Sequence, residues 1–386
     1  MKAGWQIKPL GELCDILDNR RKPVTKSDRI AGPYPYYGAT GIQDFVSDFI
    51  FDEPLVLVGE DGAKWESGEN TAFPIEGKCW VNNHAHVLRP IRERLIDNWL
   101  IYFLNHSDLT EYVSGLTVPK LNQGSLREIR IPLAPMEEQR RIVTLLDEAF
   151  ADIATAKANA EKNLQNAREL FTRISGSVLA QYAKTSQEIT LEALVEPDCS
   201  LSYGIVQPGD EVADGLHIVR PVDMTTDVVM LDGLKRIDPA LANSYARTTL
   251  KGNDILLCVR GTTGTVALAH SELAGANVTR GIVPIRFDPA KLSQQFGYYL
   301  LRSEPAQLQI QAKTYGTALQ QINIRDLRQL TLPVPAPQDQ EVIVQRLSAL
   351  EEETKQLTAA YENKLTALDD LKKSLLHQAF SGQLTQ

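Results

Sequence analysis

Apolar or small residues recur every third or fourth position from Ile142 through Leu146, Ala149, Ile153, Ala156, Ala160, Leu164, Ala167, Phe171 and Ile174 to Val178. A second run, Ile343, Leu347, Leu350, Thr354, Leu357, Tyr361, Leu365, Leu368, Lys372, Leu375 and Ala379, keeps the same steps. This spacing gathers one stripe on one side of a helix, and Lys157, Glu161, Lys162 and Gln165, or Glu351, Glu352, Lys355 and Glu362, cover the other side. Each run predicts an amphipathic helix of about 40 to 45 residues, roughly 60 to 70 Å long at ~1.5 Å per residue. Such a helix outreaches a small globular segment, so its stripe is expected to pair with the other copy, antiparallel, with one head at each end. An ordinary bundle of core helices is the bland alternative.

The segments that lead into the two helices are copies. Leu-Arg-Glu-Ile-Arg-Ile-Pro-Leu-Ala-Pro from Leu126 matches Leu-Arg-Gln-Leu-Thr-Leu-Pro-Val-Pro-Ala-Pro from Leu327, and Leu126/Leu327, Pro132/Pro333, Gln139/Gln340 and Ile142/Ile343 all lie 201 positions apart. A gap-free duplication predicts two units of one frame related by a pseudo-twofold. The heads open alike, Trp5 to Leu13 and Glu188 to Leu194 each reading as a short strand and a helical turn. Next come turns at Tyr34–Gly41 and Ser200–Gly204. Pro54–Gly62 matches Asp254–Gly264 as strand and tight turn, and Trp80–Leu88 matches Ala276–Ile285. Helices at Trp99–Leu104 and Phe296–Leu301 precede loops carrying Gly115, Lys120, Leu121 and Asn122, or Gly316, Gln321, Ile322 and Asn323. The expected class is α/β: mixed heads with mostly antiparallel, twisted sheets at 1–135 and 185–337, and long helices at 136–184 and 338–386.

Composition narrows function only slightly. The 386 residues carry a net charge of −9, which argues against indiscriminate coating of nucleic acid but permits a local basic surface. Cys14, Cys79, Cys199 and Cys258 stand alone, suggesting reduced structural thiols without a disulfide framework or zinc knuckle. With neither an apolar leader at Met1–Trp5 nor an apolar run long enough for a membrane span, the expected place is the cytoplasm.

Two such heads, each closing with Leu-Arg-x-x-x-[Ile/Leu]-Pro and running through Pro and Gln into a long helix, resemble the specificity subunit of type I restriction-modification enzymes. The likeness covers nearly the whole chain, including Ala379-Phe380-Ser381-Gly382-Gln383-Leu384, and Tyr-Tyr-Gly-Ala-Thr-Gly followed by Val-Gly-Glu-Asp-Gly is similar to a target-recognition domain of that family. The resemblance implies two target-recognition domains joined by an antiparallel coiled coil. Each domain would read half of a split, asymmetric site in double-stranded DNA, and the helices would set the gap. It also implies two adenine-N6 methyltransferase subunits using S-adenosylmethionine and motor-nuclease subunits using ATP and Mg²⁺, with no cofactor on this chain. Half-sites one helical turn apart lie about 34 to 36 Å centre to centre, a distance a rigid helical spacer can measure. Matching insertions of about four residues in both helices are then expected to lengthen the gap without changing either half-site. Walker, dinucleotide-binding and Asn-Pro-Pro-aromatic motifs are missing, which fits a chain that aims chemistry performed elsewhere.

Major-groove reading needs Arg or Lys for guanine and Asn or Gln for adenine on loops that approach the duplex closely. In the second head Arg260 with Thr262 and Thr263, Arg280 after Thr279, and Gln321 with Asn323 meet that need. In the first, Lys64, Asn82, Asn83, His84, Lys120 and Asn122 do so. Tyr36, Tyr37 and Tyr203 are placed to pack on sugars or thymine methyls, although Tyr34 and Tyr36 fit a strand core equally well. Three readings compete: Asp61 with Glu76-Gly77-Lys78 imitates a Mg²⁺ nuclease, His84 and His86 alternate onto one strand face as a metal pair, and a coiled-coil protein adaptor would explain the helices alone. The adaptor leaves the divergence of Gly-, Asn- and Arg-bearing loops without a cause.

Overall fold

In the computed structural model, which describes residues 2, 4–115, 117–317 and 319–384, both long periodic stretches are single helices. Contacts divide the chain into two units, Met1–Lys162 with Tyr361–Gln386, and Asn163–Ala360. Each unit therefore holds one head and parts of both helices.

The first unit opens with β1 (Gln6–Pro9), β2 (Cys14–Ile16), the hairpin β3 (Ala31–Gly38) and β4 (Gly41–Val46), then β5 (Phe51–Asp52), β6 (Leu55–Gly59), β7 (Ala72–Ile75), β8 (Lys78–Val81) and β9 (Ala85–Pro90). There follow α1 (Asp97–His106), β10 (Val113–Ser114), β11 (Lys120–Leu121), α2 (Gln123–Glu128), β12 (Arg130–Leu133) and the start of α3 (Met136–Ala183). One sheet has the order β2-β9-β6-β7, all antiparallel, and the other β4-β3-β8-β5 with β3 and β8 parallel. β6 is buried on both faces, so it reads as an unbroken apolar run. Val56 and Val58 pack with Trp99, Leu100 and Leu104 of α1, while Leu55 and Leu57 pack with Phe51, Cys79 and Val81 of the other sheet.

The second unit repeats the frame with β13 (Gln187–Thr190), α4 (Leu191–Leu194), β14 (Leu216–Val219), β15 (Val228–Val229), β16 (Lys235–Ile237), β17 (Ile255–Cys258), β18 (Val266–Ala269), β19 (Asn277–Val278) and β20 (Ile282–Ile285). α5 (Gln294–Arg302), α6 (Glu304–Ala312), β21 (Thr314–Tyr315), β22 (Gln321–Ile322), α7 (Ile324–Arg328), β23 (Thr331–Val334) and α8 (Pro337–Ser381) complete it. Its sheets are β15-β18-β17-β20 and β16-β14-β19. In both heads the first strand is clasped by the last, Ile7 opposite Pro132 and Glu188 opposite Pro333.

The central strands correct the residue-by-residue match of Pro54–Gly62 with Asp254 onward. That match pairs Leu55 with Ile255, but Ile255 and Leu257 share the helix-side core with Phe296, as Val56 and Val58 do with Trp99. The structural separation is one residue shorter, and a one-residue slip in a strand exchanges its two faces. Asp61 thus corresponds to Arg260, and Glu60 to Val259.

The helices α3 and α8 have 48 and 45 residues, about 72 and 68 Å at ~1.5 Å per residue. In the first unit they run antiparallel, Phe150 lying under the ammonium of Lys372 and Lys157 pairing with Asp369 at 2.7 Å. Ile142, Val143 and Leu146 share a core with Leu376 and Ala379 there, and in the second unit Val178 and Leu179 share one with Ile343 and Leu347. Two positions expected on the stripe leave it, Leu357 at 39% exposure and the exposed Lys372, while Leu376, outside the expected stripe, is buried. Thr354 is tolerated on the seam because its hydroxyl bonds back to the Leu350 carbonyl at 2.9 Å.

Candidate nucleic-acid interface

In the second unit the candidate side chains meet where β17 ends. Arg260 and Gln321 form an isolated antiparallel bridge, flanked by Ile322 N–H donating to the Val259 carbonyl at 3.0 Å and Gly261 N–H donating to Gln320 at 2.9 Å. This is the non-hydrogen-bonded kind of pair, in which the two Cβ atoms stand about 4.5 to 5.5 Å apart on one face. The Val259 N–H also donates to Gly281 at 2.8 Å, which brings Arg280 to the same strand end. Tyr203 spans the group, donating to the Ile322 carbonyl at 3.1 Å, and Tyr315 donates to Asn323 Oδ1 at 2.6 Å. Burial pushes the Tyr203 hydroxyl up, against the pull of Arg280 and Arg260 nearby. Among the described residues, neither Arg260 nor Arg280 has a carboxylate at ion-pair distance.

Thr262 and Thr263 lie in a turn whose glycines Gly261 and Gly264 adopt φ of +88° and +96°, a region open to glycine. The Thr262 hydroxyl donates to Cys258 Sγ at 3.3 Å, and the buried Thr263 hydroxyl has no hydrogen-bond partner among the described residues.

The equivalent end of β6 in the first unit is built from opposite charges. Asp61 and Lys120 form the matching bridge, with Leu121 N–H donating to Glu60 at 2.8 Å. The Lys120 ammonium lies 2.8 Å from Glu60 and 3.8 Å from Asp61, and Asp61 also takes the His84 ring. The hydrogen bond that Lys120 donates to Glu60 raises the proton affinity of Lys120. Behind this pair Arg21 joins Glu60, and buried His86 faces Asp18 at 2.6 Å through Nδ1 and the Leu121 carbonyl at 2.7 Å through Nε2. Burial would raise the Asp18 carboxyl, but His86, the Val87 N–H and Arg21 together hold it below the usual range.

Asp18, Glu60 and His86 place their ligand atoms within 4.8 Å of one another. Their atoms already face Arg21, Lys120, Val87 N–H and Gln123, so the cluster is satisfied as an ion-pair network. The proposed pair of His84 and His86 does not share a strand face: β9 begins at Ala85, and His84 sits in the turn before it. The nuclease-like trio is dispersed as well. Ile75 lies opposite Leu55, so Glu76 and Asp61 flank opposite ends of β6, about 20 Å apart at ~3.3 Å per residue. Lys78 sits over Phe49, 4.7 Å from the ring centroid.

Several sequence candidates serve the frame. Tyr36 is 1% exposed, its hydroxyl between the Val24 N–H and carbonyl and its ring under Arg29, which places it with the core alternative. Asn82, 3% exposed, holds its own turn by accepting from His84 N–H at 2.8 Å, and Thr279 is buried in the bridge to Ile205. Tyr37 is half-buried against Phe73. Asn83 is exposed, Asn122 is exposed with its amide on Ser114 at 2.7 Å, and Lys64 is exposed beside Glu69 at 3.3 Å. Sequence reading missed Arg21, Glu60 and Tyr315. Only Glu60 carried a signal, being a charge inside the apolar run that in the other copy ends in Val259.

The described helices include none long and apolar enough to cross a membrane. The four cysteines are free and buried, and burial pushes the Cys14 thiol to about 12 and Cys79 to about 11.

Residues 2–164 and 236–367 match the type I restriction modification DNA specificity domain. The type I restriction enzyme EcoBI specificity subunit of Escherichia coli is 25% identical over 301 residues, 72% of this chain and 63% of that protein. A putative type I restriction enzyme specificity subunit of Haemophilus influenzae is 37% identical over 140 residues, 36% of each. The chain thus spans less than two thirds of the length of these two relatives. The MjaVIII specificity subunit of Methanocaldococcus jannaschii is 19% identical, with 98% of this chain and 93% of that one covered. A solved chain from work on complex assembly and conformational transition of the type I restriction-modification system shares the fold at a TM-score of 0.73 and 17% identity, covering 100% and 99% of the two chains. The HsdS subunit from Thermoanaerobacter tengcongensis does so at 0.60 and 17%, covering 100% and 98%. With the domain matched over most of its length, the chain belongs to the type I restriction-modification DNA specificity family.

Proposed function

We propose that this chain is the DNA-reading subunit of a type I restriction-modification assembly, each head reading one half of a bipartite, asymmetric duplex site. The observation that carries the reading is the convergence of Tyr203, Arg260, Arg280, Gln321 and Asn323 at one strand end, with neither guanidinium at ion-pair distance from a carboxylate among the described residues. Such a surface offers bidentate donors to base edges and positive charge to phosphates, and it lies on an otherwise acidic chain, which disfavours unspecific coating.

On this reading the chain performs no catalysis in its cytoplasmic setting. Two adenine-N6 methyltransferase subunits with S-adenosylmethionine, and motor-nuclease subunits with ATP and Mg²⁺, act where it is bound. The heads are the target-recognition domains and the long helices the spacer. The test is single-molecule methylation sequencing of the host genome with the gene intact and deleted. Loss of one split N6-methyladenine motif is expected; an unchanged methylome from a transcribed system would sink the reading. Mg²⁺-dependent nicking of DNA by the purified chain, removed by Glu76→Gln, would refute the non-catalytic role.

A further inference from the structure

The two bridges occupy one place in the duplicated frame and carry different chemistry. In the second unit the pair is Arg260 beside Gln321, and in the first it is Asp61 beside Lys120. Each pair is locked by backbone hydrogen bonds from the neighbouring residues, so the side chains diverge on a conserved mount: Leu121 N–H to Glu60 at 2.8 Å in one, Ile322 N–H to Val259 at 3.0 Å in the other. Both pairs lie on one face of a non-hydrogen-bonded register position, side by side, one residue just past the end of the central strand and the other opening the short strand β11 or β22.

We propose that these bridge pairs are the specificity-determining positions of the two heads. The proposal rests on the DNA-reading function above and deepens it by naming base classes. Arg260 reads a guanine through its two-pronged guanidinium, with Gln321 beside it set for an adjacent adenine. Asp61, one oxygen of which takes the His84 ring, and Lys120, 3.8 Å from the other oxygen, offer an acceptor next to a cationic donor. That combination matches the major-groove edge of one G·C pair, where guanine N7 and O6 accept and cytosine N4 donates. Glu60 holds Lys120 from below at 2.8 Å and so aims it, as a positioning residue.

The experiment selects binders from a randomised double-stranded DNA library with the full chain, then with Arg260→Ala, Arg260→Lys and the transplant Asp61→Arg with Lys120→Gln. Wild-type chain is expected to enrich a split motif with a guanine in one half; failure to enrich any split motif refutes the DNA-reading function itself. Arg260→Ala is expected to lose about ten- to a hundredfold of the preference at that guanine and leave the other half intact. Arg260→Lys keeps the charge and loses the fork, so it should lose the preference nearly as fully. The transplant should change only the G·C position in the other half. A split motif whose preferences all survive Arg260→Ala, with uniformly weaker binding and a shallower salt dependence, marks a phosphate contact and overturns the proposal while leaving the function standing. Thermal melting identical to wild type is required of each variant scored; Gln321→Ala, expected to lose the preference at the adjacent adenine, replaces a second-head variant that fails, and Lys120→Gln alone, expected to lose the preference at the G·C position, replaces the transplant.

Discussion

The side-chain oxygen of Gln139 accepts a hydrogen bond from the Ile96 N–H at 3.1 Å, while its amide donates to Arg94 and Ala134 carbonyls at 2.8 Å each. Gln340 does the same in the other unit, accepting from Ser293 N–H at 2.9 Å and donating to Lys291 and Pro335 at 3.0 and 3.1 Å. Both side chains are buried, at 0% and 3% exposure. Each clamps the first turn of a long helix to the loop before the head's own helix, so the equal separation of the two glutamines reflects one shared joint.

Replacing Gln139 by Leu leaves Ile96 N–H and two carbonyls without that partner in a dry site. At about 1 to 3 kcal/mol for an orphaned buried group, a loss of ~2 kcal/mol or more is expected in the first unit. Hydrogen exchange should show earlier opening at residues 94–100, with the second unit unaffected; Gln340→Leu should give the converse. Equal loosening of both units by one substitution would refute the separate-joint picture.

Glu60 occupies the position at which the second unit has Val259, and its carboxylate is buried against Arg21 and Lys120. Glu60→Ala takes a carboxylate from both the half-buried Arg21 guanidinium, which keeps Asp18 at 3.4 Å and the Ala85 carbonyl at 2.8 Å, and Lys120, and should cost about 1 to 3 kcal/mol. The double change Arg21→Leu with Glu60→Val imitates the apolar solution of the other head and should recover most of that loss in urea denaturation. In Glu60→Ala the raised proton affinity of Lys120 should also fall back, which NMR titration of its side chain would reveal.

Asp18 supplies a pH dependence. Its folded carboxyl titrates below its unfolded value, so it stabilises fully above the ordinary carboxylate range, near about pH 4, and that stabilisation is lost as pH falls through the depressed value. Wild type should lose more stability below about pH 4 than Asp18→Asn, whose side chain does not ionise. Parallel curves of urea midpoint against pH for the two proteins would contradict this.

Gly297 sits inside α5, where Gly→Ala ordinarily stabilises a helix by about 1 kcal/mol. Here an added Cβ would fall 2.1 Å from Cε2 of the buried Phe287 ring. Gly297→Ala should instead destabilise the second unit by about 1 to 3 kcal/mol, measurable in its melting temperature.

The sequence by itself determined the duplication, the two long helices and the order of elements in the heads. Those rest on local periodicity and on turn residues, which act over a few positions and survive without tertiary context. It also named the loops at which Lys120, Arg260 and Gln321 come to lie. Only the tertiary structure decided the face of each side chain. The slip between Val56 and Ile255, the burial of Tyr36 and Asn82, and the exposure of Leu357 all depend on which sheet or helix packs where, and a shift of one residue in a strand reverses every face. The pairing of Asp61 with Lys120 and of Arg260 with Gln321 joins segments about 60 residues apart through backbone hydrogen bonds that carry no side-chain signature, so no periodicity announces it.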